Sequence, residues 1–342
     1  MGFRQFLRKK DVVISTERYL IGALSNMAMG LFASLLVGTI LKSFGGKFHI
    51  AYLTDTVAPM AMSTTGSAIG VAIAIALKAP PLVLFAATIT GASGNAAGGP
   101  VGALIATVIG VEIGKIVSKE TKIDIILTPT LTIITGMFAG GIIGPTVAKI
   151  MWAFGELIMQ ATEMQPFYMG ILVSVTVGVV LTLPISSAAL CMMLELSGLA
   201  AGAATVGCCC QMVGFAVMSF KENGWGGLFA QGIGTSMLQM GNIVKNPKIW
   251  IPPTLASAIL GPLSTLVFKL ENSPIGAGMG TCGFVGQIAT LSTMEEIGKS
   301  SISIYVIIIL LHFILPAIIT LIIAQIMRKK GYIKDGDLKL NL

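Results

Sequence analysis

A carboxylate inside an apolar run is the first place to look for chemistry. Ionisation there is costly, so the group must face a cavity or a partner. Glu195, in Leu190-Cys-Met-Met-Leu-Glu-Leu-Ser197, is such a residue. It can accept a hydroxyl bond from a sugar, stay protonated, or relay protons; the competing reading ends the segment at an interface there. If it lines a site, Glu195→Gln weakens solute binding without unfolding the protein. Glu271 and Asn272 open the stretch Glu271-Asn-Ser-Pro-Ile-Gly-Ala-Gly-Met-Gly-Thr-Cys-Gly-Phe-Val-Gly286, with five glycines between 276 and 286. With Thr281 they can line a re-entrant loop, unless the loop lies at headgroup level, where Glu271 simply meets water.

Two further patterns suit solute binding. Thr90-Gly-Ala-Ser-Gly-Asn-Ala-Ala-Gly-Gly-Pro100 exposes backbone groups that membrane depth tolerates only beside a cavity or inside protein. Asn95 and Ser93 can hydrogen-bond a hydroxyl-rich solute there, and a tight turn between helices explains the small residues equally well. Thr130 in Thr128-Pro129-Thr130, and Thr254 after Pro252-Pro253, stand where proline frees helical carbonyls that threonine or a ligand can satisfy. A kink shared by two copies of one unit is the structural alternative.

The other polar residues divide in the same way. Glu112 and Lys115 are three apart and can pair on one helix face. Asp55 suits a helix cap. Gln211, Gln231, Gln239 and Gln287 suit interhelical bonds or a pore lining. His49 falls in a loop-like stretch, and His312 is mid-span, where a bond to a neighbouring helix competes with proton shuttling. HExxH, nucleophile-elbow and Walker motifs are absent from the sequence, so a membrane protease or an ATP-driven pump is not expected. No catalytic residue, cofactor site or metal ligand set emerges. Cys208-Cys209-Cys210 reads as soft helix packing.

The elements that hold these residues are membrane helices. Of 342 residues, 54% are hydrophobic and 11% charged, with a mean hydropathy of +0.89. Residues 19–327 carry only 12 lysines and 11 acids, too few to cover a soluble fold of this size. Soluble enzymes, nucleic-acid binders and secreted disulfide scaffolds are thereby excluded. The formal charge of +7 gathers at the ends, where Arg4, Arg8, Lys9, Lys10 and Arg18 precede the first span and Arg328, Lys329, Lys330 and Lys334 follow the last. The positive-inside rule then predicts both termini in the cytoplasm and an even number of crossings. Such basic ends also meet anionic membrane lipids.

At about 20 apolar residues per crossing, the clearest spans are 19–41, 52–77, 99–117, 123–143, 166–183, 201–220 and 301–327. Weaker ones are 80–96, 145–161, 184–200, 224–244, 249–270 and 274–292. The expected fold is an all-α polytopic membrane protein of about ten transmembrane helices in two internal repeats, with broken helices and re-entrant Gly-rich loops. Met29–Leu41 matches Met169–Leu181 at six of thirteen positions, and Lys119–Ile125 with Thr128–Leu131 matches Lys245–Ile251 with Pro252–Leu255 at seven of eleven. Gly144-Pro145 recurs as Gly261-Pro262 and Gly98-Gly99 as Gly226-Gly227. The lysine loops 115–122 and 245–248 favour parallel copies. The predicted division is a basic N-terminus 1–18, a first repeat 19–161, a second repeat 162–327 with an extra helix, and a basic tail 328–342. A repeated membrane unit commonly places a solute pathway at the repeat interface, which points to transport.

Gly94-Asn-Ala-Ala-Gly-Gly-Pro-Val-Gly102, Ser118-Lys-Glu-Thr-Lys-Ile-Asp124, Asn246-Pro-Lys-Ile-Trp-Ile-Pro-Pro-Thr254 and Glu271-Asn-Ser-Pro-Ile-Gly-Ala-Gly-Met-Gly280 resemble the second EIIC-type family of the bacterial phosphotransferase system. That family includes the perfringolysin-regulator proteins. The resemblance runs over most of the chain. It implies a dimeric, permease-like subunit of the bacterial cytoplasmic membrane that handles a sugar-like solute and works with soluble phosphotransferase partners. A membrane sensor that regulates gene expression and an ion-coupled transporter of another solute are the alternatives. The expected solute-binding residues are Asn95, Thr130, Glu195, Thr254, Glu271, Asn272 and Thr281.

Overall fold

The structure is a computed structural model and describes residues 3–15, 17–299 and 302–340. Residues 1, 2 and 16 of the predicted N-terminus, residue 301 of the predicted last span, and residues 341 and 342 of the predicted tail lie outside them. The described residues are helical with no β-sheet; a lone antiparallel bridge joins Gly198 and Asn272. The chain divides into two compact units, Met1–Ile150 and Met151–Leu342.

In the first unit, α1 (Phe3–Lys9) precedes α2 (Leu24–Gly46), the bent pair α3 (Leu53–Ser63) and α4 (Thr65–Ala76), α5 (Pro81–Val117) and the first part of α6 (Asp124–Thr162). Glycine sets the packing. A Cβ on Gly30 would lie 2.7 Å from the Ala68 carbonyl, and one on Gly38 2.7 Å from Met62, so α2 runs antiparallel to α3 and α4. Gly66 and Gly70 press in the same way on Gly91 and Ala87 of α5. Small residues let membrane helices approach to backbone contact, where dispersion replaces the hydrophobic drive that lipid does not supply.

α5 is a hairpin. The backbone leaves helical geometry at Gly98 and Gly99, just before Pro100, and Gly99 has φ +62° and ψ −157°. A Cβ on Gly94 would stand 2.4 Å from the Gly102 carbonyl, although eight residues along a straight helix separate by about 12 Å. Gly110 meets Thr90, and Gly114 meets Val83. The arms 81–97 and 100–117 therefore run antiparallel, matching the two spans predicted at 80–96 and 99–117. α6 then packs antiparallel to the second arm, with Gly136 and Gly140 on Ala106 and the Thr132 hydroxyl toward Gly114. Taken alone, this unit threads back and forth five times.

At one end of the first unit a charged cluster ties α1 and the following segment to the helix ends. Lys115, 2% exposed, donates to the Asp11 carbonyl at 2.6 Å and the Leu77 carbonyl at 2.9 Å. Its Nζ also lies 3.3 Å from Glu112 and 3.5 Å from Asp11. Arg18 donates to Asp11 at 2.7 Å and to the Leu77 carbonyl at 2.7 Å, while the Tyr19 hydroxyl donates to Glu112 at 3.1 Å. The last carbonyls of a helix lack intrahelical partners; here two cations supply one for α4.

The second unit centres on α9 (Gly198–Met218), which is buried along nearly all of its length. Around it stand α7 (Pro166–Thr182), α12 (Pro247–Phe268) and α15 (Ile302–Lys329). α7 lies parallel to α9, with Gly178 on Gly207, and antiparallel to α12, where the Ser174 hydroxyl donates to the Ser257 carbonyl at 2.8 Å. The C-terminal ends of α9 and α15 coincide: Arg328 donates to the Met218 carbonyl at 3.2 Å and to Glu222 at 2.7 Å. That end also carries Lys245, Lys248, Lys329 and Lys330 and is called the basic end below. The short α8 (Ser187–Met193) lies on the return from α7 to α9.

Among the described residues, six helices are suited by length and composition to crossing a membrane, or seven if α3 and α4 form one span. This is fewer than the roughly ten expected. α5 counts once although it holds two arms, α7 has only 17 residues, and 184–200, 224–244 and 274–292 form short broken elements. The segment 145–161 continues α6 as one helix through Pro145.

Candidate functional site between two opposing hairpins

Two Gly-rich segments enter the second unit from opposite ends. From the basic end, α10 (Phe220–Phe229) rises along α9 through a wide turn at Ala230–Gly234, then descends through Ser236–Gln239 into α11 (Met240–Lys245). The Gln239 amide donates to the Gln231 carbonyl oxygen at 2.8 Å, which pairs the two arms of this hairpin. Gly224 begins it with φ +57° and ψ −154°, the same glycine-only geometry as Gly99. From the opposite end, residues 272–287 descend through α13 (Pro274–Ala277) and lead into α14 (Val285–Glu296). Gly280 sits at φ +53°, and a Cβ there would come within 2.8 Å of the Cys208 backbone.

The two tips meet. The Thr281 hydroxyl donates to the Gly232 carbonyl at 2.5 Å and lies 3.6 Å from the Met212 sulfur of α9. At 1.5 Å per residue, Met212 is about 9 Å from the C-terminal end of α9 and about 21 Å from its start. The junction is therefore well inside the helix length. Non-helical backbone at such depth is stable only when surrounded by protein or facing a cavity.

Beside the junction runs a fully paired set of neutral groups. Gln211 donates to the Thr254 hydroxyl at 3.1 Å and accepts from the Trp250 indole at 3.0 Å and the Thr182 hydroxyl at 3.3 Å. Thr182 in turn meets the Ser236 hydroxyl of the basic-end hairpin at 2.8 Å. Higher on α9, Asn272 donates to the Thr205 hydroxyl at 2.7 Å and to the Gly286 carbonyl at 3.2 Å, which anchors the opposite loop. On another side of α9, Gln287 lies 3.0 Å from His312 and donates to Cys209 at 3.5 Å, and its own carbonyl oxygen is buried without a hydrogen-bond partner.

Three sequence-selected residues, Thr254, Asn272 and Thr281, thus attach to one helix, α9. The others lie elsewhere. Glu271 is at the loop mouth in an ion pair of 3.4 Å with Lys299. Glu195 is exposed at φ 50° in the turn after α8, which matches the helix-end reading of that segment. Asn95 is half-buried in the first arm of α5, and Thr130 is exposed on α6. Asp55 is exposed in the first turn of α3, and His49 is exposed in the connection that follows α2. Trp250, Ser236 and Thr182 were missed, because only their partner Gln211 is a polar group conspicuous in an apolar run. Among the described residues, no group of three His, Cys, Asp or Glu side chains is placed to hold a metal ion.

Long apolar helices, a folded-back helix pair and two opposing half-depth hairpins define a multi-pass helical membrane protein. The family of the phosphotransferase system EIIC matches residues 21–340, and the chain belongs to that family. It is therefore a membrane component of the phosphotransferase system of sugar transport, a class that acts with a sugar substrate and with other components of the system. No curated protein and no solved structure matches the chain.

Proposed function

We propose that this chain is the permease-like subunit that binds and translocates an uncharged, hydroxyl-rich solute at the junction of the two hairpins. The observation that carries this reading is the Thr281–Gly232 bond beside the Gln211 network. Neutral amides and hydroxyls, one indole and a flexible thioether suit sugar hydroxyls, and opposing hairpins offer tips that can part on either side of a fixed site. Thr281, Thr254 and Asn272 are the solute-facing or loop-anchoring residues in this proposal. Glu271 and Glu195 stand outside the junction, and Asn95 and Thr130 belong to a separate contribution from the first unit.

The finer organisation forms part of the same proposal. Each unit threads five times, giving about ten traverses, with a basic N-terminus 1–18, membrane segments 19–161 and 162–327, and a basic tail 328–342. Both basic ends face the cytoplasm by the positive-inside rule, and the chain works as a homodimer with soluble phosphotransferase partners. In this proposal the segments 19–161 and 162–327 are two copies of one unit, in which 119–131 and 245–255 both lead from a lysine loop into a Pro-containing helix.

The test is a thermal-stability screen in detergent against sugars, sugar alcohols, sugar phosphates, ascorbate, nucleosides and amino acids, run on wild type, Thr281→Val and Thr281→Ser. A solute that binds only the folded state raises Tm with concentration. The reading expects a hit among neutral polyols that weakens by roughly tenfold in Thr281→Val and survives in Thr281→Ser. Equal affinity in all three proteins removes the junction from the site.

A further inference from the structure

The C-terminal segment lies in a row of side-chain amides, and those amides belong to the basic-end hairpin. Asn223 grips the segment from both sides, donating to the Leu338 carbonyl at 2.8 Å and accepting from the Leu340 backbone N–H at 2.8 Å. Gln239 also donates to the Leu338 carbonyl, at 3.1 Å, and Asn242 donates to the Lys339 carbonyl at 2.9 Å. Asn246 donates to the Tyr332 carbonyl at 3.1 Å and to the Asp337 carboxylate at 2.7 Å. The Leu338 side chain is fully buried, and Ile333 is nearly so. Asp335 meets Arg328 and Lys221, each at 3.1 Å.

This is how a protein holds a bound peptide: main-chain groups are met one by one while an apolar side chain is buried. An ordinary surface segment has no need of it, since water satisfies exposed backbone groups. The grip falls on the movable element. Gln239, which holds Leu338, also donates to Gln231, which donates to the Gly227 carbonyl at 2.9 Å and the Ser219 hydroxyl at 2.9 Å. Gly232, which accepts from Thr281, is the next residue along the chain. One hydrogen-bonded path therefore leads from the tail to the junction.

We propose that residues 332–340 are a detachable latch that holds the basic-end hairpin against Thr281 and closes the junction from that side. When the latch leaves, Asn223, Gln239, Asn242 and Asn246 lose their backbone partners, the hairpin loosens, and the junction opens toward the basic end. The proposal rests on the junction being the solute site, yet its readout requires no solute.

Cys282 follows Thr281 at the junction and is 1% exposed, so it reports the opening. The full chain in detergent is treated with N-ethylmaleimide and the labelled sites are mapped by mass spectrometry. Wild type is compared with Asn223→Ala, Leu338→Ser and a chain stopped after Gly331. The latch expects Cys282 to label about tenfold faster in all three variants, with Cys209 and Cys210 on α9 unchanged. A synthetic peptide of residues 332–342 added in excess to the stopped chain should restore slow labelling. Unchanged Cys282 labelling in Asn223→Ala and Leu338→Ser overturns the latch. So does equal acceleration at all five cysteines, which would make the segment an ordinary part of the core. Failure here leaves the Thr281→Val binding result intact, and failure of that result leaves the labelling result intact.

Discussion

The Trp250 indole N–H donates to the side-chain oxygen of Gln211 at 3.0 Å, joining the start of α12 to the interior of α9. Gln211 is fully buried, and its amide nitrogen is engaged by Thr254. A hydrogen bond inside a membrane unit adds little net stability when made, but an abandoned buried donor carries its full desolvation cost, about 1–3 kcal/mol.

Gln211→Leu follows directly. It leaves the Trp250 N–H without its acceptor, so Tm should fall by several degrees and Trp250 fluorescence should change. Gln211→Glu keeps an acceptor for Trp250 but places a carboxylate at membrane depth, and it should be at least as damaging. An unaltered Tm in Gln211→Leu would mean the network adds nothing.

Much of this arrangement was legible in the residues. The glycines and proline of 90–100 signalled a break, and the structure turns there by folding α5 back at Gly98 and Gly99. The five glycines of 276–286 signalled a re-entrant loop, and their close contacts with Cys208, Ser187 and Ala289 show why side chains are excluded. The hairpin at 224–244 was not legible as such. A half-depth hairpin and a full crossing use the same number of residues with similar hydropathy. What separates them is the pairing of Gln231 with Gln239, eight residues apart. The turn at Glu195 was not legible for a related reason: hydropathy places a residue along the sequence, while a left-handed turn after a short helix leaves it exposed.

Glu195→Gln is therefore a sharp comparison. An exposed carboxylate in the turn after α8 is not held in a low-dielectric cavity, so neutralising it should change solute affinity by less than about twofold. Binding to the wild-type and variant proteins, measured by the same thermal-shift titration, checks this. A tenfold loss would return Glu195 to the solute path.

Acid should release the N-terminal segment first. The Arg18 guanidinium holds the Asp11 carboxyl below its ordinary value, with burial opposing and Lys115 assisting. A group whose folded pKa is lowered contributes stability above its unfolded pKa and loses it as pH falls through the folded value. The contribution is complete at about pH 5 and above and is lost progressively as pH falls below about 4 toward the lowered folded value. Hydrogen exchange of residues 3–15 should accelerate as pH falls below about 4, relative to α9. Asp11→Asn should show the fast exchange already at pH 7 and remove the pH dependence.

Gly99 offers a test of the fold that is independent of any solute. Its φ of +62° and ψ of −157° lie in a region that residues with a Cβ avoid at a cost of order 1–3 kcal/mol. A Cβ there meets no atom within 4 Å, so crowding plays no part and any loss in Gly99→Ala is backbone strain alone. Gly141 is the matched control. It is helical on α6, exposed, and a Cβ on it also meets nothing within 4 Å. Alanine is favoured over glycine inside a helix by about 1 kcal/mol, so Gly141→Ala should hold or raise Tm. The two substitutions are chemically identical and sterically free, yet they should move stability in opposite directions. If α5 were a single straight helix through Gly99, both variants would be stabilised; a lowered Tm in Gly99→Ala alone fixes the fold-back that brings Gly94 against Gly102.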